Sequence, residues 1–208
     1  MNYQTEQENF WANEFGRDYV SRNNSESLHA SNLSFFSNAL RQTRNIKNCI
    51  EIGANIGMNL KTLKLLFPSI DLHAIEINSH AAKILADTIP TQNITNNSIL
   101  NIEIKEKWDL VLSKGVLIHI NPDNLDDVYK KMYDLSRKYI LIGEYYNPTP
   151  VAISYREHED KLFKRDFAGE MIDKFPDLVL LDYGFCYYRD NNFSQDDITW
   201  FLLEKIKS

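Results

Sequence analysis

A short apolar run that stops at two glycines four residues apart constrains this chain more than any other feature. Residues 48–52 carry β-branched side chains and end abruptly in Gly53-Ala54-Asn55-Ile56-Gly57. Leu60, Leu63, Leu66 and Phe67 follow at helical spacing, and Pro68 stands just past them. This is a strand, a tight turn and a helix. The same alternation continues along the chain. Residues 71–77 read as a second strand and 79–88 as a helix with Ser79 as its N-cap. Residues 93–99 read as a weak third strand and 108–112 as a fourth. A helix over 122–137, with Asn121 before it and Pro122 at its first position, leads into a fifth strand over 139–146. Strands alternating with helices predict an α/β fold, a doubly wound and mostly parallel sheet with helices on both faces.

The two ends of the chain read differently. Residues 178–188 and 198–206 are long strand-like runs joined by a polar connection, which predicts an antiparallel C-terminal hairpin and brings the sheet to seven strands. Residues 155–173 are charged and read as partly helical, with Asp160 and Lys164 one helical turn apart. Near the N-terminus, Phe10, Trp11, Phe15, Tyr19 and Val20 share a helix face. A polar stretch over 22–27 precedes a second helix over 31–43, with Leu33, Phe36, Ala39 and Leu40 inward. The expected division is an N-terminal helical segment, 1–45, on a globular unit, 46–208.

Composition narrows the function. Of 208 residues, 43% are hydrophobic and 25% charged, the balance of an ordinary globule with a sizeable core. Lys and Arg number 23 against 29 Asp and Glu, a net charge of −6. No basic stripe is visible, so nucleic acid is a poor partner. Cys49 and Cys186, far apart and each in an apolar run, argue against a disulfide framework or a cysteine zinc site, and no metal is expected. The first ten residues are polar, without the basic and apolar regions of a signal peptide. No apolar run approaches the roughly 20 residues of a membrane span. The expected location is cytoplasmic, with no membrane partner.

In an open α/β sheet the ligand lies beyond the carboxyl ends of the strands, at the first strand-to-helix turn. A dinucleotide fingerprint would place glycine where Asn55 stands, to admit a pyrophosphate. Glu51, just before the turn, would repel a pyrophosphate but suits an amino group. Glu76 ends the second strand, where a carboxylate binds ribose hydroxyls in nucleotide-binding α/β folds. An amino group, a ribose and no pyrophosphate describe S-adenosylmethionine (SAM).

The pattern E-x-G-x-N-x-G, followed by an acidic residue ending the second strand, resembles class I, seven-stranded, Rossmann-like SAM-dependent methyltransferases from about Cys49 onward. A narrower resemblance lies outside this loop. Residues 10–23, 113–122 and 155–168 are similar to methylases associated with pseudaminic acid biosynthesis. The resemblance implies methyl transfer to an oxygen or amino nitrogen of a small polar acceptor from a bacterial surface-sugar (nonulosonic acid) pathway, free or as a nucleotide-sugar. S-adenosylhomocysteine (SAH) would be the product. It implies that Gly53, Ala54, Asn55 and Gly57 line the methionine portion, with Glu51 at its ammonium. Glu76 would hold the ribose and Ile77 would pack on adenine. Asn97 and Ser98 would supply the adenine edge, although many members carry an acidic residue there. Ser113 and Lys114, after the fourth strand, would stand near the reacting methyl. The N-terminal segment would cover the cleft through Trp11 and Tyr19, with Arg22 on the methionine carboxylate.

His119, in the apolar run 116–120, is the candidate catalytic base; a packing histidine is its plainer reading. Acceptor contacts are expected from Glu144, Tyr146, Asn147, Tyr155 and Arg156. Asn147-Pro148-Thr149-Pro150 lacks the aromatic of the N-P-P-aromatic signature and follows the fifth strand rather than the fourth, against DNA or glutamine N-methylation. Two rivals remain: a non-catalytic SAM-binding partner in a glycan-pathway complex, and a nicotinamide-dependent sugar oxidoreductase, which Asn55 disfavours. The sequence leaves the oligomeric state open.

Overall fold

The computed structural model describes residues 3–13, 15–16, 26–155 and 158–206, with the side chains of 26, 27, 155 and 158–160 excepted. The helices are α1 (Glu6–Ala12), α2 (Glu26–Ala39), α3 (Met58–Leu66), α4 (Ser79–Leu85), α5 (Leu125–Leu135) and α6 (Phe167–Lys174). The strands are β1 (Asn48–Ile52), β2 (Asp71–Ile75), β3 (Ile94–Thr95), β4 (Trp108–Lys114), β5 (Ser136–Glu144), β6 (Val151–Tyr155), β7 (His158–Lys164), β8 (Leu178–Cys186) and β9 (Ile198–Lys205). No helix among the described residues is long and apolar enough to cross a membrane.

Seven strands form one sheet in the order β3-β2-β1-β4-β5-β9-β8. β1 to β5 pair in parallel, and β9 runs antiparallel between β5 and β8. Successive residues of the central strands enter opposite cores, as the two-residue period of a strand requires. Cys49, Leu110, Leu112, Tyr139 and Leu141 pack beneath α2 and α3. Ile50, Ile52, Val111, Ile140 and Ile142 pack beneath α5 and α6. The helices therefore cover both faces.

The order reverses between β1 and β4, which opens a crevice at their carboxyl ends. Ile52 lies opposite both Ile75 and Ser113, so Gly53, Glu76 and Lys114 leave the sheet at one level.

Several local expectations are corrected. Residues 158–164 form β7, paired with β6 in a separate two-stranded sheet, rather than a charged helix. β-branched Val151 and Ile153 face Lys164 and Leu162, and burial of Leu162 and Phe163 outweighs a helical pattern without a continuous apolar face. A helix does follow, at α6, capped by Asp166. The N-cap of α4 is Asn78, whose side chain accepts from the N–H groups of His80 and Ala81; Ser79 is already helical. The helix expected over 122–137 is a 3-10 turn, Pro122–Asn124, leading into α5. The helix expected over 31–43 runs instead over Glu26–Ala39.

Candidate functional site

The β1 turn is shaped by three left-handed residues: Gly53 (φ 67°), Asn55 (φ 49°) and Gly57 (φ 83°). Asparagine is among the few side chains that tolerate this region, so Asn55 serves where a fingerprint would use glycine. At Gly53 a Cβ would stand 2.6 Å from Val116 Cγ2. The chain after β4 thus passes close to the bare backbone of the turn.

A cleft of 310 Å³ opens over this turn, large enough for a small ligand. Its walls come from the turn, the ends of β2, β4 and β5, the N-terminal helices and the chain before β9. Glu76 anchors one side. Its Oε2 accepts from Asn55 N–H (2.7 Å) and its Oε1 from Asn78 N–H (2.7 Å). Burial raises its pKa, and those N–H groups oppose the rise.

Glu51, expected at the ligand, lies beneath the turn, 1% exposed, and is not among the residues that line the cleft. Its Oε1 accepts from Asn59 Nδ2 (2.6 Å), while its buried Oε2 has no partner among the described residues. Burial lifts its pKa to about 8, opposed by the Asn59 bond and the Lys114 charge. A buried carboxyl oxygen without a partner is a standing cost.

On the far side Lys114 leaves β4 half-buried. Its Nζ donates to Asn32 Oδ1 (3.4 Å) and sits 5.2 Å from the Phe35 ring centre. Gln195 Nε2 donates to the same Asn32 oxygen (3.1 Å). Asn32, Gln195 and Asp196 line the cleft with Lys114. Burial lowers the Lys114 pKa, and the nearby Glu51 carboxylate opposes this most.

His119 forms part of the wall, 8% exposed, with its ring 4.5 Å from that of Trp11. Its Nδ1 is 2.6 Å from Lys161 O. A carbonyl only accepts, so Nδ1 carries the proton and Nε2 is the acceptor nitrogen. Burial drives its pKa to about 4, so the ring is neutral at physiological pH. Among the described residues no group of three His, Cys, Asp or Glu is arranged to hold a metal ion.

Residues 50–138 match the family described as Methyltransferase domain. That stretch is similar to a methyltransferase domain. The same fold recurs in solved structures. A SAM-dependent methyltransferase from Leishmania major superposes with a TM-score of 0.73 at 12% identity, over 95% of this chain and 81% of that one. Magnesium protoporphyrin IX methyltransferase from Synechocystis PCC 6803, with bound SAM, gives 0.68 at 11% identity over 99% and 100%. The 1,6-didemethyltoxoflavin-N1-methyltransferase of Burkholderia thailandensis, with its acceptor and SAH, gives 0.66 at 14% identity over 92% and 83%. No curated protein matches the chain in sequence.

The structure brings Trp11, Gly53, Ala54, Asn55, Glu76, Ile77, Asn97, Ser98, Lys114, His119 and Glu144 to the cleft. Others expected there lie elsewhere. Ser113 is fully buried, and its hydroxyl donates to Glu144 Oε1 (3.0 Å). Gly57 caps α3 and packs against Leu85, off the cleft. Tyr146 is exposed beside Phe201, and Asn147 closes a local turn on Thr149. Tyr19, Arg22, Arg156 and the Tyr155 side chain lie outside the described residues.

Glu144 reaches the cleft, but its carboxylate is engaged. Oε1 also accepts from Val116 and Leu117 N–H (3.0 Å each), and Oε2 faces Ile118 N–H (3.5 Å). These bonds hold the turn Leu117–His119 in place. Burial raises the Glu144 pKa to about 7 against those donors. Asn32, Gln195 and Asp196 were missed from sequence, because each stands in an element with no motif around it.

Proposed function

We propose that this chain transfers a methyl group from SAM to an oxygen, or second to an amino nitrogen, of a small polyhydroxylated acceptor. A sugar of the nonulosonic acid type, free or nucleotide-activated, is the class to try first. The corner formed by Asn32, Lys114, Gln195 and Asp196 carries the acceptor reading. Both bonds at Asn32 fall on its carbonyl oxygen. These bonds do not use its amide hydrogens or the Gln195 carbonyl. Donors and acceptors side by side suit adjacent hydroxyls, each of which both gives and accepts hydrogen bonds.

Two observations support the donor's place: the unpartnered buried oxygen of Glu51 beneath the turn, and the bare backbone of Gly53, which lines the cleft with Val116 packed against it. Glu76 would grip the ribose, Glu51 the ammonium, and Gly53 to Asn55 would pass the methionine portion. Residues 1–45 would act as a cover, supported by the Trp11–His119 contact and by Asn78 Nδ2, which donates to the carbonyls of Trp11, Ala12 and Asn13 (3.1–3.2 Å). Bound SAM supplies an electrophilic methyl on a sulfonium; the protein supplies position and electrostatics. Holding the acceptor atom in line is worth about 7–11 kcal/mol. His119, neutral and with Nε2 as acceptor, would take the hydrogen bond or proton of the acceptor hydroxyl.

Labelled SAM incubated with free and nucleotide-activated nonulosonic sugars, read by mass spectrometry, tests the reading. Methylated product and SAH are expected, and no conversion across the panel rejects the acceptor class. His119→Ala should lower turnover about 10²-fold, the low end for a general base because a pKa near 4 makes a weak one. SAM affinity should stay intact; unchanged turnover would leave His119 as packing.

Glu51 yields a separate prediction. With a pKa of about 8, its carboxyl is mostly protonated at pH 7. An ammonium docked against it favours the carboxylate, so binding should release up to one proton. Titrating SAH at pH 7 in buffers of different ionisation enthalpy reads this release, and Glu51→Gln should abolish it. A heat independent of buffer would place the ammonium elsewhere.

A further inference from the structure

The loop after β3 offers little of its own to a nucleobase. Asn97 Oδ1 already accepts from Ser98 N–H (2.9 Å), and Ser98 Oγ from Leu100 N–H (3.1 Å). The helix α1 comes up beside this loop: Gln4 Nε2 donates to Asn101 Oδ1 (2.5 Å). One turn further along α1, Glu8 lines the same cleft, although only 6% of its surface is exposed.

The two oxygens of Glu8 differ. Oε2 closes a capping box with Thr5, accepting from the N–H groups of Gln4 (2.5 Å) and Thr5 (2.9 Å), while Thr5 Oγ1 accepts from Glu8 N–H (3.1 Å). Oε1 is buried and has no hydrogen-bond partner among the described residues. A helix cap uses one carboxylate oxygen, and glutamine would serve it equally well. A second oxygen shut away from water without a donor carries an uncompensated desolvation penalty. A donor on a ligand lying between α1 and the β3 loop would remove that cost.

We propose that Glu8 reads the base of the bound cofactor, its Oε1 accepting a hydrogen bond from the exocyclic amino group of adenine. The inference rests on the SAM reading of the cleft and deepens it. An ionised carboxylate only accepts, so it favours a 6-amino purine over a 6-oxo purine, whose oxygen would meet it acceptor to acceptor. Base recognition and closure of the N-terminal helix become one event, because the side chain that meets the base also caps the helix.

The test uses the full chain and two probes, SAH and its deaminated counterpart S-inosylhomocysteine. Calorimetry should give the wild type at least a tenfold preference for SAH. Glu8→Gln keeps a carbonyl for the cap and turns the other position into a donor. It should lose about tenfold or more in SAH affinity and bring the two probes to parity or invert them, with an unchanged melting temperature. Glu8→Ala should lose the preference and also the cap, seen as a lower melting temperature. A wild-type base preference in Glu8→Gln overturns the proposal while leaving the cofactor site standing. Failure of the wild type to bind SAH overturns both.

Discussion

Replacing Glu76 with alanine is expected to weaken SAM binding by about 10²–10⁴-fold. Two hydroxyls of a ribose donating to one carboxylate make charge-assisted bonds worth about 1.5–3 kcal/mol each. The substitution reaches further, because the same carboxylate holds two backbone amides. Asn55 N–H and Asn78 N–H both donate to it at 2.7 Å. Without it the β1 turn loses a tether and Asn78 loses its backbone anchor. Asn78 also ties down the end of α1 through three carbonyls. Ligand contact, turn and cover therefore fail together. Calorimetry with SAM and SAH reads the effect, and Glu76→Gln, which keeps one acceptor oxygen, should fall between. An affinity within threefold of wild type in the alanine variant would remove Glu76 from the site.

The second large effect is expected at Gly53. An L-residue forced to φ 67° costs about 1–2 kcal/mol. The added Cβ would also stand 2.6 Å from Val116 Cγ2, and crowding of that kind costs about 1–3 kcal/mol. At roughly 2–4 °C per kcal/mol for a chain of this size, Gly53→Ala should melt about 4–20 °C lower. Gly115 is the internal control. It has nearly the same φ, 69°, but no atom lies within 4 Å of the place its Cβ would take. Gly115→Ala should therefore show the strain alone, and thermal melts of the pair separate strain from crowding. Because Val116 walls the cleft, Gly53→Ala should also lose at least tenfold in SAM affinity. Equal melting temperatures for the two variants would show that the Val116 contact is relieved at no cost.

The strand-turn-helix at residues 48–66 was readable because its signals are local: a β-branched run, glycines at left-handed positions and a helix period. Glu76 was readable for the same reason, as an acid at the end of the next strand. Ser113 and Glu144 show where this stops. Each sits at the end of a central strand, so each looked available to a ligand. In the structure they bond to each other, a pairing made by the register of β4 against β5 that no local pattern reveals. The β6–β7 hairpin was missed because its two buried residues, Leu162 and Phe163, are flanked by charges that mask a strand. Asn32 and Gln195 stand 163 positions apart and meet only when α2 and the approach to β9 come together over the sheet.

The place of β9 has a consequence for how the sheet assembles. It is the last strand in the chain, yet it sits inside the sheet, joined to β5 on one side and β8 on the other. Among the described residues β8 pairs only with β9, so an edge nine residues long hangs on a neighbour added after it. β8 and β9 form a local hairpin, and that hairpin lies along β5. That arrangement joins segments some sixty positions apart, the kind of distant pairing that slows folding. A lesion in β9 would shed two strands at once and uncover Leu141 and Ile142, whereas a lesion in β8 would only trim the border.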